Sequence, residues 1–433
     1  MKYQIMKVWI DELKELVKKG FFHIFASQII NKIIVFGSSV LIIRILSKTD
    51  FGIYSYVNNI VSIFLLLNGL GTISGLLQFG CENRDNPQKL AAYSSFAWKM
   101  GLLFNVVICI SIVAFALFFN FKFEGAEVIL LFMALQPMVS YVYSQIEIGF
   151  RIRLQNKEYS ALSMLNSSAL MIGTIIGAYY FGIIGIVLLR YVGFIICIVI
   201  GNVLANKHGH IIKDKIELTQ NEKKNFFKLS FISSLNNGIS QMLFLLDVFL
   251  IGIIIPNTEI IASYKTATII PFAMLFIPTT IITFIYPYFA SHNKDRKWIY
   301  RRYNHLLKSL VFLNGFIAVS MYIGAPWIVK YVFGADYMDS VEVFQILSIG
   351  YFIAATFRIP SGNILVCLHR VTFNFYNAVI SGAANIVLDI ILITEYGTIG
   401  AAYATVIVYI ISSLISTVYL NKILNDASKP LVV

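Results

Sequence analysis

The stretch SALSMLNSSALMIGTIIGAYYFGIIGIVLLRYVGFIICIVIGNVL (160–204) decides the fold class, because it is apolar over most of its length and carries one charged residue, Arg190. Crossing a bilayer as a helix takes roughly 20 mainly apolar residues. The stretch therefore allows two crossings that meet near Gly182. Similar runs recur along the 433 residues, of which 58% are hydrophobic and 13% charged. The sequence predicts an all-α membrane protein.

About twelve transmembrane helices are predicted from these runs. The predicted spans are 21–46, 53–79, 91–119, 127–150, 160–181, 183–204, 226–255, 260–290, 306–330, 342–367, 372–394 and 399–420. Residues 1–20 differ, because their apolar side chains line one face and their lysines lie elsewhere. This pattern favours an amphipathic helix in the cytoplasmic headgroup layer, with a disordered tail as the alternative.

The basic residues predict how the chain is oriented. Of the 34 Lys and Arg residues, 25 lie at the two termini or in the loops of one side, and three lie in the loops of the opposite side. Positive loops stay in the cytoplasm, so both termini are predicted to be cytoplasmic and the protein to lie in a bacterial inner membrane. The net charge of +12 is thereby explained without a nucleic-acid partner. The four cysteines form no CxxC pair, so no metal site is predicted.

Two short repeats indicate that the chain is a parallel duplication. IYSY (53–56) resembles IASY (261–264), and YFGIIG (180–185) resembles EYGTIG (395–400). Both pairs keep their order and fall at predicted external turns. Six-plus-six parallel repeats are a recurrent plan of transporters. The predicted parts are the interfacial helix 1–20, an N-lobe 21–204 (six spans), a cytoplasmic linker 205–225, a C-lobe 226–420 (six spans) and a cytoplasmic tail 421–433.

Charges inside the spans are the candidate functional residues. A charge at mid-membrane costs at least roughly 2.5–3.5 kcal/mol, so it usually faces a cavity or a partner. Three acids and six basic residues lie in the predicted spans, and this basic balance suits an anionic substrate. Arg44, Glu147 and Asp389 lie near predicted helix ends, where they can reach the interface. The candidates for substrate binding are Lys32, Lys265, Arg190, Arg358, Gln28 and Asn236.

Asp247 has two interpretations. Counted from the external turn between their helices, Asp247 and Lys265 reach similar depths on adjacent spans. They could form an ion pair that only stabilises the fold, or Asp247 could couple transport to an ion while Lys265 binds cargo. Asn236 and Asp247 also share one face of the seventh span, as Gln28 and Lys32 do on the first. The residues alone leave these alternatives open.

Four passages resemble polysaccharide repeat-unit flippases, the O-antigen or Wzx type, of the multidrug/oligosaccharidyl-lipid/polysaccharide exporter superfamily. They are RILSKTDFGIYSY (44–56), LLDVFLIGIIIPNTEIIASYK (245–265), FGADY (333–337) and GTIGAAYAT (397–405). Each motif is short, but their order and spacing cover both halves of the chain. The resemblance implies two six-helix bundles in a MATE-like arrangement, with alternating access around a basic cavity.

The resemblance also implies the cargo. An undecaprenyl-diphosphate-linked oligosaccharide would move from the cytoplasmic to the periplasmic leaflet, for the biosynthesis of surface polysaccharide such as O-antigen, lipopolysaccharide or capsule. Coupling to a H⁺ or Na⁺ gradient would drive it, polysaccharide polymerase machinery would be a partner, and no cofactor or enzymatic step is expected. A multidrug antiporter of the MATE type is the alternative. A membrane polymerase or glycosyltransferase is remote, because no DxD at a membrane edge and no P-loop pattern occurs.

Overall fold

A computed structural model of the protein describes residues 21–210, 216–242, 245–292 and 295–425. This part of the chain contains helices and no β-strand. The predicted interfacial helix over residues 1–20 lies outside the described residues.

The helices follow one another with short connections. In the first half they are α1 (Phe21–Ile45), α2 (Lys48–Leu65), α3 (Thr72–Glu82), α4 (Pro87–Phe118), α5 (Ala126–Met133), α6 (Gln136–Ile152) and α7 (Asn156–Lys207). In the second half they are α8 (Gln220–Met242), α9 (Leu246–Ile254), α10 (Thr258–Met274), α11 (Phe276–Ser291), α12 (Arg296–Ile328), α13 (Val341–Ile353), α14 (Ile359–Cys367) and α15 (Val371–Asn425). A 3₁₀ segment, Asn68–Gly71, separates α2 from α3, and a π-helical segment, Ala354–Arg358, separates α13 from α14.

Nine helical stretches of the described chain are long and apolar enough to cross a membrane. Two of them, Asn156–Lys207 and Thr372–Asn425, have 52 and 54 residues, and each is long enough for two crossings. The predicted seventh span, 226–255, is divided between α8 and α9 and is not among the nine. The predicted class, an all-α membrane protein built from many transmembrane helices, is confirmed.

Each of the two longest helices turns back at a glycine. Gly182 has φ 63° and ψ −147°, and Gly397 has φ 61° and ψ −136°, conformations that L-residues with a Cβ rarely adopt. The arms on either side of each turn pack backbone to backbone. A Cβ on Gly177 would lie 2.4 Å from the backbone of Gly185, and one on Gly400 would lie 1.9 Å from the carbonyl oxygen of Leu392. These matching turns fall at the repeat YFGIIG/EYGTIG and support the duplication.

The chain divides into two compact units. Unit 1 comprises residues up to Leu46 and Ile60–Gly238, and unit 2 comprises Ser47–Asn59 and the residues from Ile239 onwards. The first residues of α2 thus belong to unit 2, and most of α8 belongs to unit 1. Each unit has its own apolar core. One cluster in unit 1 surrounds Phe226, and one in unit 2 surrounds Tyr303.

Candidate functional site

Asp247 is the centre of a buried polar cluster in unit 2. It lies in the first turn of α9, where the positive end of the helix dipole favours a carboxylate, and its exposed fraction is 2%. Its Oδ2 accepts hydrogen bonds from the Tyr264 hydroxyl at 2.5 Å and from the Thr405 hydroxyl at 2.6 Å. The Asn385 amide nitrogen lies 3.5 Å from Oδ1. Helices α9, α10 and α15 therefore all contribute to this one carboxyl group.

A second carboxyl group, that of Asp389, lies beside Asp247. Asp389 is on α15, has an exposed fraction of 0% and interacts electrostatically with Asp247. Within the described part of the chain, neither of its oxygens accepts a hydrogen bond from a neutral donor, and the group that can share a proton with it is the carboxyl group of Asp247. Leaving a buried carboxylate without a partner is costly, so the group needs a proton or a bound cation.

The cluster offers only oxygen atoms and amide groups to a cation. Carboxylate, hydroxyl and amide oxygens are the ligands of hard cations, and thiolate and imidazole are those of softer transition metals. Among the described residues, no group of three or more His, Cys, Asp or Glu side chains is arranged to hold a metal ion. The carboxyl pair thus fits a proton or a small alkali cation such as Na⁺.

One of the predicted basic residues, Lys265, lies close to this cluster. Lys265 directly follows Tyr264 on α10, is half-buried and interacts electrostatically with Asp247. No Lys265 ion pair within 4.0 Å is found among the described residues, and the oxygens of Asp247 are instead bonded by neutral groups. The fold therefore does not use a close Asp247–Lys265 ion pair.

Arg358 is also half-buried. Its guanidinium carbon lies 5.5 Å from the centre of the Tyr409 ring, and Tyr409 interacts electrostatically with Asp247. Arg358 ends the π-helical segment, a local widening of the helix that is frequent at functional sites. Within that segment the Thr356 hydroxyl accepts a hydrogen bond from Asn314 at 3.2 Å, which helps to fix its geometry.

The other predicted site residues lie in unit 1. Gln28 and Lys32 are exposed on α1, and Arg190 is half-buried on α7, where it lines a small cavity with Gln136 and Tyr191. The side chain of Asn236 lies outside the described part of the structure. The structure thus places Lys265 near Asp247, and it places Arg358 against the Tyr409 ring in the same unit. A role for the unit 1 residues stays a prediction.

The interpretation of Asp389 as a residue near a helix end was wrong. Its helix continues as far as the turn at Gly397, and the side chain points into unit 2 and not to the interface. Asn385, Thr405 and Tyr264 were also missed as partners of Asp247. A signal was present in the sequence, because Asn377, Ser381, Asn385 and Asp389 recur every four residues and so lie on one helix face.

The passages 44–56 and 333–337 meet in unit 2. The Lys48 ammonium lies 2.8 Å from Asp339 Oδ2 and 2.8 Å from the Asp336 carbonyl oxygen. The Phe51 and Tyr337 rings pack edge to face. Of the other two passages, 245–265 supplies Asp247, Tyr264 and Lys265, and 397–405 supplies Thr405. Apart from residues 44–46, which belong to unit 1, the four quoted passages therefore serve the packing and the polar site of unit 2.

The fold and the buried polar site define a multi-pass membrane transporter. The chain belongs to the polysaccharide biosynthesis protein family, whose sequence profile matches residues 41–342, more than half of the chain. This membership confirms the resemblance found in the motifs.

Individual relatives agree with the family. The chain is 24% identical over 202 residues to the "probable low-salt glycan biosynthesis flippase Agl15" of Haloferax volcanii, over 46% of this chain and 41% of that protein. The chain thus matches less than half the length of this curated relative.

Solved structures show the same fold. The lipid II flippase MurJ, in an inward closed conformation, has a TM-score of 0.71 and 17% identity, over 92% of this chain and 87% of that one. An inward-facing multidrug resistance MATE family transporter of the MOP superfamily has a TM-score of 0.70 and 11% identity, over 92% and 96%. At these identities the likeness establishes the fold.

Proposed function

We propose that this protein is a flippase that moves undecaprenyl-diphosphate-linked oligosaccharide repeat units from the cytoplasmic to the periplasmic leaflet for surface polysaccharide biosynthesis. Family membership and the named flippase relative support a lipid-linked glycan as cargo. The observation that carries the proposal is the half-buried Lys265 beside the buried carboxyl cluster, with a second half-buried cation, Arg358, in the same unit.

The cations suit the anionic part of such a cargo. A diphosphate must cross a layer of low dielectric constant, and Lys or Arg lowers that cost through charge-assisted hydrogen bonds. Lys265 is available for this role because Tyr264, Thr405 and Asn385 already bond the Asp247 oxygens. The lipid tail can stay in the bilayer, and no covalent bond is made or broken.

The carboxyl pair supplies the coupling step. Binding of H⁺ or Na⁺ between Asp247 and Asp389 would neutralise part of a buried negative charge, which favours a different arrangement of the surrounding helices. A membrane potential adds roughly 2.3 kcal/mol per elementary charge per 100 mV. The cation gradient can therefore bias alternating access in one direction. We further propose that the protein lies in the inner membrane with both termini in the cytoplasm, and that a polysaccharide polymerase is its partner.

A MATE-type multidrug antiporter is the second candidate, and the fold match and the buried acids favour it. A cationic drug would be attracted to Asp389. The half-buried Lys265 lies next to the same cluster and would repel that drug, so the flippase proposal accounts for more of the site.

The test is transport of cargo by purified protein in proteoliposomes. Wild-type protein should move a fluorescent undecaprenyl-diphosphate oligosaccharide between leaflets. Lys265→Gln should fold normally and lower the rate at least about tenfold, because a hydrogen bond to a charged group contributes roughly 1.5–3 kcal/mol. Lys265→Arg, which keeps the charge, should restore most of the rate.

Lys297→Gln is the matched control, because Lys297 is an exposed lysine of the same unit, in the first turn of α12. It should leave transport unchanged. Equal transport by Lys265→Gln and wild type would contradict the role of Lys265. Transport of a cationic dye without transport of the lipid-linked glycan would identify the antiporter instead.

A further inference from the structure

A stripe of buried polar side chains runs along α15 to the carboxyl pair. Asn377, Ser381, Asn385 and Asp389 follow one another at intervals of four residues, and all four are buried. At 1.5 Å per residue the stripe is about 18 Å long, more than half the thickness of the hydrocarbon layer.

The second arm of α15 lines the same stripe with small hydroxyl side chains. The Asn377 amide nitrogen donates to the Ser412 hydroxyl at 3.2 Å and to the Ser416 hydroxyl at 2.8 Å. The Ser381 hydroxyl lies 3.4 Å from Asn377 Oδ1. Ser413 and Thr405 are also buried on this arm. Between Asn377 and Asp389 the stripe is thus lined by asparagine and small hydroxyl side chains.

Several polar atoms along the stripe have no partner in the described part of the chain. They are Asn385 Oδ1, Ser413 Oγ and both carboxylate oxygens of Asp389. Each such atom costs about 1–3 kcal/mol when it is buried without a hydrogen bond. Water molecules or a cation passing along the stripe would satisfy them.

From Asp389, polar side chains continue along the helix face towards the start of α15 and not towards the turn at Gly397. Four residues beyond Asp389 it reaches Ile393, which is buried and apolar. In the opposite direction it continues through Asn377 towards the start of α15. There the stacked rings of Phe373 and Tyr419, with centroids 3.6 Å apart, narrow its end. That end adjoins the loop 368–371, which the charge distribution predicts to be cytoplasmic.

We infer that this stripe is the route by which a small monovalent cation moves between Asp389 and the end of α15 near residue 371. The inference rests on the proposed coupling of transport to a cation at Asp247 and Asp389. The route lies within unit 2, so the cation does not need the path of the anionic cargo. The competing account is that the side chains only join the two arms of α15 by hydrogen bonds.

Thiol accessibility separates the two accounts. The four native cysteines, at 81, 109, 197 and 367, are first replaced by serine, and Ser381→Cys or Ile380→Cys is added. Ag⁺ serves as the probe, because it is a small monovalent cation that reacts with thiols. Protection is read as loss of PEG-maleimide labelling after denaturation.

Ag⁺ should react with the thiol of Ser381→Cys and so protect it from later labelling. Na⁺ should slow this reaction if the site binds Na⁺, and acidification should slow it if the site binds H⁺. Ile380→Cys is the control, because Ile380 is the neighbouring residue and its side chain points out of the unit with an exposed fraction of 51%. It should not show ion-dependent slowing. Ser381→Cys that is unreactive to Ag⁺ in folded protein would overturn the route.

Cation-binding kinetics give a second readout that does not depend on cargo. Ser381→Leu should slow binding of ²²Na⁺, or proton uptake, at least about tenfold by blocking the route, while leaving the equilibrium affinity unchanged. Ile380→Leu, at the outward-facing neighbour, should bind at the wild-type rate. Equal rates for Ser381→Leu and wild type would overturn the route and leave the coupling proposal intact. Failure of the wild type to bind either cation in an Asp389-dependent way would contradict both.

Discussion

Each unit contains a buried polar network, but the two networks have different chemistry. In unit 1 the network around Asn105 is neutral. The Asn105 side chain accepts from the Gly69 N–H at 2.9 Å and donates to Asn68 at 2.9 Å, and Tyr141 donates to the Ala97 carbonyl at 2.6 Å. In unit 2 the network contains two carboxyl groups. The two oxygens of the Asp389 carboxyl group accept no hydrogen bond from a neutral donor in the described chain.

The difference indicates which network is structural and which is functional. Unit 1 uses its network to support the interruption between α2 and α3, where Gly69 and Leu70 have φ of 55° and 48° and leave the regular helix. Non-helical backbone at membrane depth is tolerated where protein groups satisfy it. Unit 2 has an unbroken α15 at Asp389, so its polar groups are not needed to repair the backbone. They are available to bind a cation.

The largest expected difference between the two networks follows from removing the charge of the Asp389 carboxyl group. Asp389→Asn should abolish cation-dependent transport, with a loss of at least about tenfold, because a ligand and its charge are both removed. Thermal stability should be unchanged or higher, since a buried carboxylate without a partner is destabilising. Transport and unfolding are measured on the same protein preparation. Normal cation dependence in this variant would show that the unit 2 network is structural.

The reciprocal change in unit 1 should affect stability and not coupling. Asn105→Ala removes the acceptor of the Gly69 N–H and the donor to the Asn68 amide oxygen, at about 1–3 kcal/mol for each group left without a partner. We expect a lower unfolding temperature and less protein in the membrane. Transport per folded molecule should keep its cation dependence. If coupling is lost while stability is retained, the two networks do not differ as described.

The sequence predicted the scaffold better than the site. Runs of about 20 apolar residues indicate membrane helices, because lipid offers no hydrogen bonds to backbone N–H and C=O groups and a helix pairs them internally. The turn at Gly182 and its counterpart at Gly397 were visible as a repeat. The partners of Asp247 were not, because Asn385 and Thr405 are distant in sequence and only the fold brings them to α9. Asp389 was misplaced because closeness to the end of a predicted span was taken as closeness to the interface.

The shared scaffold gives a third test, in which both units should respond alike. Gly185→Ala and Gly400→Ala each place a Cβ within 2.5 Å of backbone across the turn. Overpacking of this kind costs typically about 1–3 kcal/mol. Gly37→Ala is the control, because nothing lies within 4 Å of its Cβ position. Thermal unfolding should show two destabilised variants and one unchanged or slightly stabilised variant. A large effect in only one unit would contradict the duplicated turn.

The smallest expected effect is a pH dependence that belongs to unit 1. His210 lies after the end of α7, and its Nε2 is 2.7 Å from Gln155 Oε1. The pKa of His210 is lowered from 6.5 to about 4, mainly by burial and to a smaller extent by the nearby Arg153 and His208. Between these two pH values the unfolded chain binds more protons than the folded one.

Unfolding stability should therefore fall as the pH drops from about 6.5 to about 4, and it should not change through this group above pH 7. The slope should be well under the ~1.4 kcal/mol per pH unit of one full proton, because the half-buried ring remains partly solvated. His210→Gln keeps a hydrogen-bonding side chain and should flatten the profile. Cation binding at Asp389 serves as the internal reference, since that site lies in the other unit and should respond equally to pH in both proteins. Identical unfolding profiles for His210→Gln and wild type would show that the environment of His210 does not set the acid stability of unit 1.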